Sequence, residues 1–360
     1  MKHRKVTAKD VAARAGVSAA TVSLILSGKG SNKFPEKTCR RVIDACSELG
    51  YVRNSAARTP AGGKLLLAVT PSYSNLYYVH MVEAMQTRAK ELGYSLVAFD
   101  TFREIQQETR IMQLCSQFPF AGVLLLYPPE NQLMKQQTEW NKPVIHIYDK
   151  SLYDDTDMLE FDGFRVGVIT GEYLRDLGHT KVAFVSSTFD TRQATRIRRL
   201  EGLRSVYREA GLNPEKCVRA FTPDNVLQDV KNIPEDYDLG YQIARRLLEN
   251  REDVTAFVTV NDMMASGVMD AVREAGRRIP EEYSVCGCDN TTASRYSGIS
   301  LTTVESYPRQ TGVEAVNLLV RKIEGSGRSA EEDSPSGITR IEYFPRLIVR
   351  KSTGPCRNSQ

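Results

Sequence analysis

Thr7, Asp10, Gly16 and Ser18 stand at the spacings that start, stop and restart a helix within a dozen residues. Thr7 answered three places on by Asp10 is a reciprocal helix-start pair. Gly16 suits a tight turn, and Ser18 suits the cap of a second helix. Thr7–Leu26 therefore reads as two short helices joined by a glycine turn, a helix-turn-helix. The chemistry of such a pair is recognition of double-stranded DNA. Its second helix offers its first residues to base edges in the major groove, while the first helix crosses the phosphate backbone. The candidate contacts are Thr7, Ser18, Ala19, Ala20, Thr21, Ser23 and Leu24. Charge agrees: residues 1–60 hold 12 Lys or Arg against 4 Asp or Glu, so a net +8 head precedes a body of 36 against 40, net −4. A basic block on a capped helix pair is a phosphate-facing surface whose binding weakens steeply with salt.

Other chemistries lack their residues. Gly325-Ser326-Gly327 lies in a polar stretch, and Gly163, Gly167 and Gly171 have the wrong spacing for a dinucleotide loop. There is no nucleophile elbow and no Cys or His set at metal-ligand spacing. The seven cysteines are scattered, and the close pair Cys286 and Cys288 ends an apolar run as small buried side chains would. Catalysis, a cofactor and a metal are accordingly not expected. No stretch approaches the roughly 18 apolar residues of a membrane span. Met1-Lys2-His3-Arg4-Lys5 leads into the helix pair without an apolar segment, so a cytoplasmic protein is expected. A stand-alone solute-binding protein would need an export signal and no headpiece.

The elements that must position these residues follow from periodicity. A third helix opens at Phe34-Pro35 and runs through Cys39, Val42, Cys46 and Leu49 to Gly50, completing a headpiece. Tyr51–Arg58 is helix-capable, and Thr59-Pro60-Ala61-Gly62-Gly63 is a breaker-rich linker. Strand-length apolar runs then alternate with helical stretches: strands at Leu65–Thr70, Ser95–Phe99, Gly122–Tyr127 and Val144–Tyr148, with a helix at Val79–Leu92. The rhythm repeats with helices at Gly167–Leu177, Leu200–Ala210, Leu239–Glu249 and Ala265–Ala275 and strands at Val182–Ser186, Ala256–Val260 and Ser284–Gly287. Two successive α/β units predict a two-lobed body with parallel sheets. Glu324–Gly337 reads as an exposed loop and the chain after Thr353 as a disordered tail.

Residues along the whole chain carry a family resemblance. Asp10-Val11-Ala12, Ala15-Gly16-Val17-Ser18, Thr21-Val22-Ser23 and Leu49-Gly50-Tyr51 in the headpiece resemble the LacI/GalR family of transcription regulators. So do Leu177-Gly178-His179, Asn261-Asp262, Ile279-Pro280-Glu281, Leu301-Thr302-Thr303-Val304 and Pro345–Thr353 in the body. The resemblance implies an all-α headpiece on a body like the periplasmic sugar-binding proteins, with the chain crossing between lobes near Phe161–Arg165, Val304–Ser306 and Gly337–Arg340. It divides the chain into a headpiece with hinge segment (1–58), a linker (59–64), an N-terminal lobe (65–162 plus 305–337), a C-terminal lobe (163–304 plus 338–353) and a tail (354–360).

By the same resemblance a small effector sits between the lobes, facing Tyr77, Tyr78, Asp149, Asp162, Arg199, Asn261 and Asp289. Carboxylates accept from neighbouring hydroxyls, a guanidinium donates a planar fork, and aromatic rings cover apolar faces, which suits a sugar or related polyol. A purine or nucleoside is the alternative, since purine binders of the family carry more aromatic surface there. Asp162 and Asp289 read alternatively as solvated loop acids or helix caps, Asp149 equally so, and one of the two tyrosines as core.

The chain departs from the family at its DNA-facing positions. Ala19, Ala20 and Leu24 flank Thr-Val-Ser, and all three are apolar, fit for thymine methyls but not for bidentate hydrogen bonds to G or A. In the hinge, where Asn54 and Arg58 count among the DNA contacts, Pro60 stands where relatives commonly carry a minor-groove leucine. Proline ends a hinge helix at Thr59, so a shorter hinge helix and a smaller DNA bend are expected, although Pro60 can itself serve as an apolar wedge and counts among the DNA contacts. The expected assembly is a homodimer, without the heptad repeat that tetramerises some relatives, on a near-palindromic operator, with no membrane partner.

Overall fold

The computed structural model describes residues 7–26, 34–49, 64–129, 142–148, 156–189, 194–227, 236–325 and 337–357. The chain divides into two units, 1–63 and 64–360.

The first unit holds α1 (Ala8–Ala15), α2 (Ala19–Leu26) and α3 (Glu36–Leu49). Both predicted caps are made. The Asp10 carboxylate accepts from the Thr7 N–H at 2.7 Å and from its hydroxyl at 2.6 Å, and Ser18 Oγ accepts from the Thr21 N–H at 3.0 Å. Gly16 ends α1 at φ 64°, in the left-handed region where glycine carries no Cβ penalty. Val11, Val22 and Val42 meet with no exposed surface, joined by Ala12, Ala15 and Ala45. Burial on this scale is worth about 1.5–3 kcal/mol per valine and holds three helices that would be marginal alone.

The second unit contains two six-stranded sheets. The first takes β1 (Leu65–Thr70), β2 (Ser95–Asp100), β3 (Gly122–Leu125), β4 (Val144–Tyr148), β5 (Met158–Glu160) and β11 (Arg340–Glu342), in the order β11-β5-β4-β3-β1-β2, all parallel. The second takes β6 (Val182–Val185), β7 (Val218–Phe221), β8 (Ala256–Thr259), β9 (Ser284–Cys288), β10 (Thr302–Glu305) and β12 (Arg346–Ile348), in the order β12-β10-β9-β8-β6-β7. Only β12 runs antiparallel, against β10. Helices cover the sheets, as parallel strands buried on both faces require. The chain crosses between lobes after β5, after β10 and between β11 and β12. The helix Pro308–Gly325 returns the chain to the first lobe, where Ala315, Leu318 and Leu319 pack beside Met81 and Met85.

Several boundaries differ from the sequence reading. The third crossing falls at 343–345 rather than 337–340, because Arg340–Glu342 continue the first sheet against Met158–Glu160 and the Thr339 N–H is held by Asp157 at 2.8 Å. The chain after Thr353 is not a free tail through Arg357: Cys356 is buried, its N–H donates to the Leu177 carbonyl at 2.8 Å, and Arg357 meets Glu282 at 3.1 Å. Of the predicted loop Glu324–Gly337, Glu324 and Gly325 end a helix, and residues 326–336 lie outside the described set. Four helices begin three or four residues early, at Leu76, Gly163, Asp236 and Asp262, and those at Leu76, Gly163 and Asp262 stand behind an Asn or Asp cap. Cys286 and Cys288 are free and buried within β9. Among the described residues no helix is long and apolar enough to cross a membrane.

Candidate functional site

On the headpiece, α2 turns Ala20, Ser23 and Leu24 outward, whereas Ala19 leans on the helical core beside Val17 and Ile25. Leu24 is 39% exposed. Thr7 and Ser18 are occupied as caps, and the Ser18 hydroxyl also meets that of Thr21 at 2.9 Å. Asn54, Arg58 and Pro60 lie outside the described residues.

Between the lobes of the second unit lies a cavity of about 120 Å³. That is close to the ~150 Å³ that holds a single benzene ring. It opens at the C-terminal ends of β3, β4, β8 and β9, where doubly wound sheets bind ligands. Asn75, Tyr77, Tyr78, Arg103, Tyr127 and Tyr148 line it from the first lobe, and Phe161, Thr195, Arg196, Arg199, Asn261 and Asp289 from the other side.

Arg199 is only 5% exposed. It is placed by the close pairing of the helices Gly163–Asp176 and Ala194–Glu209. A Cβ on Gly167 would lie 2.0 Å from the Arg199 carbonyl oxygen, and one on Gly202 would lie 2.0 Å from that of Phe164. No larger residue permits this approach. The Arg199 Nη1 donates to the Val260 carbonyl at 2.6 Å, and its guanidinium carbon lies 5.8 Å from the centre of the Phe161 ring. Its Nε has no hydrogen-bond partner among the described residues.

Asn261 follows β8 and caps the helix Asp262–Glu274, its Oδ1 accepting from the Met264 N–H at 2.9 Å while its Nδ2 donates to Asp236 at 2.5 Å. Asp289 follows β9 at φ 114°, a conformation costly for a residue with a Cβ. Its N–H is tied to the Val304 carbonyl at 2.9 Å and its carboxyl to the Ser306 hydroxyl at 3.4 Å, so it is anchored on the second crossing. Burial, reinforced by nearby Asp262, pushes the Asp289 carboxyl well above the usual carboxylate range, and Arg199 only partly opposes this. Asp262 itself is pushed up to about 6 by burial, although Thr291 and Thr303 donate three hydrogen bonds to it.

Tyr77 and Tyr78 occupy the first turn of the helix Leu76–Glu91 behind its Asn75 cap. They pack edge to face with ring centres 5.1 Å apart, and both line the cavity, so neither is simply core. Asp162 is not among the lining residues. Its carboxylate accepts from the Arg165 N–H at 3.0 Å as a helix cap and pairs with Arg198 at 3.6 Å, which leaves it the cap reading. Asp149 lies outside the described residues.

The sequence reading missed Arg103, Arg196, Tyr127, Tyr148 and Phe161. Arg196 precedes Arg199 by three residues on one helix, a spacing that places both on one face and could have flagged it. Arg103 has no such signal. It sits with Phe102 in a left-handed turn after β2, φ 50° and 57°, that carries its guanidinium to 5.2 Å from the centre of the Tyr127 ring. Tyr127 is fixed in turn, donating to the buried Glu108 carboxylate at 2.5 Å and accepting from the Thr101 hydroxyl at 2.7 Å. Among the described residues no group of three or more His, Cys, Asp or Glu could hold a metal.

Residues 7–54 match the model for bacterial regulatory proteins of the lacI family, and residues 172–353 match that for the periplasmic binding protein-like domain. The HTH-type transcriptional repressor PurR of Histophilus somni (strain 129Pt) is 28% identical over 351 residues, 96% of this chain and 98% of that protein. A transcriptional regulator CelR–cellobiose complex superposes with a TM-score of 0.67 at 25% identity over 97% of this chain and 100% of the other. The Lac repressor bound to ONPG in its repressed state does so with a TM-score of 0.66 at 25% identity, with the same coverage. A capped helix-turn-helix and a two-lobed body with a polar cavity between the lobes thus belong to a member of the lacI family of bacterial regulatory proteins, a DNA-binding transcription regulator with an effector-binding body.

Proposed function

We propose that the protein is a repressor that binds a near-palindromic operator as a homodimer, and that a sugar or related polyol held between its lobes sets its affinity for that DNA. The observation that carries the effector reading is the pairing, across one cavity, of Arg199, Asn261 and Asp289 on the second lobe with the aromatic rings of Tyr77 and Tyr78 on the first. A sugar presents hydroxyls to the first group and its apolar ring face to the second. The cavity's volume suits one ring rather than a long oligomer. Relatives support the class: the CelR structure holds cellobiose, and the Lac repressor structure holds ONPG. A second reading, a purine, draws on the similarity to PurR and on the tyrosines at 77, 78, 127 and 148 that stacking would use.

For the DNA side, the exposed apolar surface of Ala20 and Leu24 favours thymine methyls, with Lys and Arg supplying affinity through phosphates. Exposed Val97, Phe102 and Ile105 around the edge strand β2 give a second copy of the chain an apolar surface to cover. Effector binding draws the lobes together and shifts the population between a DNA-binding and a released arrangement.

Selection of bound duplexes from a random pool, followed by competition with sugars and purines, tests this reading. Two-fold related half-sites are expected, with at least one sugar-class ligand changing operator affinity about tenfold or more. A change produced by a purine alone would sink the sugar class.

A further inference from the structure

The charge lining the cavity is unbalanced. Three guanidinium groups reach it, Arg103 from the first lobe and Arg196 and Arg199 from the second, whereas the lining holds one carboxyl, Asp289. Asp236 stands behind Asn261, whose amide it accepts, and Glu108 accepts the Tyr127 hydroxyl. Burial pushes the Arg196 guanidinium down; Asp236 counters this, and Arg103 and Arg199 add to it, so the three cations crowd one another. Arg196 is steadied by the Ser187 hydroxyl. The Arg199 Nε, on a side chain 5% exposed, and the buried Arg103 Nη1 both lack a hydrogen-bond partner among the described residues. Buried donors left unpaired cost free energy, and like charges gathered out of water cost more. An oxyanion relieves both costs, and guanidinium forks match its geometry.

We propose that the effector is an anion, a sugar or polyol bearing a carboxylate or a phosphate, with the charged group held by Arg103, Arg196 and Arg199 and the hydroxyls meeting Asn261 and Asp289. This rests on the sugar reading of the same cavity and adds charge to it. Because the arginines come from both lobes, the anion is also what draws the lobes together.

Thermal unfolding of the full chain tests the charge, first with inorganic phosphate replacing chloride at constant ionic strength. A hexose, its aldonic acid and its 6-phosphate are then compared. The expected result is saturable stabilisation by phosphate, weakened about tenfold or more in apparent affinity by Arg103→Gln and by Arg196→Gln and less by Arg103→Lys, which keeps the charge but loses the fork. The charged sugars should bind about tenfold tighter than the neutral one. A stronger response to the aldonic acid assigns a carboxylate, and one to the 6-phosphate a phosphate. Absence of an arginine-dependent phosphate response overturns the proposal. A neutral hexose bound as tightly as its charged partners overturns it too, while leaving the sugar reading intact. A phosphate response with all three sugars silent keeps the anion and removes the sugar. The melting temperature of each unliganded variant shows whether it folds, and if one glutamine variant does not, the other carries the test.

Discussion

The two walls of the cavity are built from different materials. On the second lobe the wall is polar and set by backbone: glycine contacts fix Arg199, a helix cap fixes Asn261, and a left-handed turn fixes Asp289. On the first lobe it is aromatic, with Tyr77, Tyr78, Tyr127 and Tyr148 held mainly by packing and hydroxyl bonds, and Arg103 as its cation. In the proposed effector site the second lobe supplies most of the polar groups that would orient a ligand, and the first lobe supplies Arg103 and the rings that would cover it. Neither wall alone both positions and encloses it.

The rigidity of the polar wall is the easiest part of this contrast to break. Gly167→Ala drives a methyl into the Arg199 carbonyl, so we expect about 3 kcal/mol or more of destabilisation in urea unfolding, together with weakened effector binding. Gly298→Ala, with open space around it, should stay within about 0.5 kcal/mol. Equal stability for both variants would remove the glycine argument.

Acid should pull the lobes in opposite directions. On β4, burial pushes His146 down to about 4 from 6.5, with Asp157 opposing. The folded state resists its proton, so its contribution is full above pH 6.5 and is lost as pH falls toward 4. Asp262 is raised from 3.8 to about 6, so its contribution is full below pH 3.8 and is lost as pH rises through 6. Each shift is worth on the order of 3 kcal/mol. Native-state hydrogen exchange between pH 6.5 and 4.5, corrected for intrinsic rates, should show protection falling in β4 relative to β9. Parallel changes would contradict the assignment.

A smaller effect is expected from Tyr127→Phe, which strips a donor from the buried Glu108 carboxylate and loosens the surface beneath Arg103. A loss of about 1–3 kcal/mol in the first lobe is predicted, read by the same exchange experiment.

Legibility in the sequence followed how local each determinant is. Thr7, Asp10, Gly16 and Ser18 act within four residues of one another's helix ends, and the structure forms each expected cap and turn. Asp162 takes the alternative that the sequence already offered, an acid at a helix start that caps the backbone. Asn261 does both, capping its helix and facing the cavity. The same caps explain why helices expected at Val79, Gly167 and Ala265 begin at Leu76, Gly163 and Asp262. Arg103 was illegible because a left-handed turn of Phe102 and Arg103 has no glycine to announce it. The packed chain end was illegible because its partners, Leu177, His179 and Glu282, lie far away in sequence.

The central claim is that a ligand gripped by the polar wall controls DNA binding. The most direct test measures the affinity of the parent protein and of Arg199→Met for a selected operator duplex, with and without the sugar-class ligand that moves the parent most. A shift of about tenfold or more is expected in the parent and less than about twofold in the variant at the same ligand concentration. An Arg199→Met protein that responds as fully as its parent would contradict it.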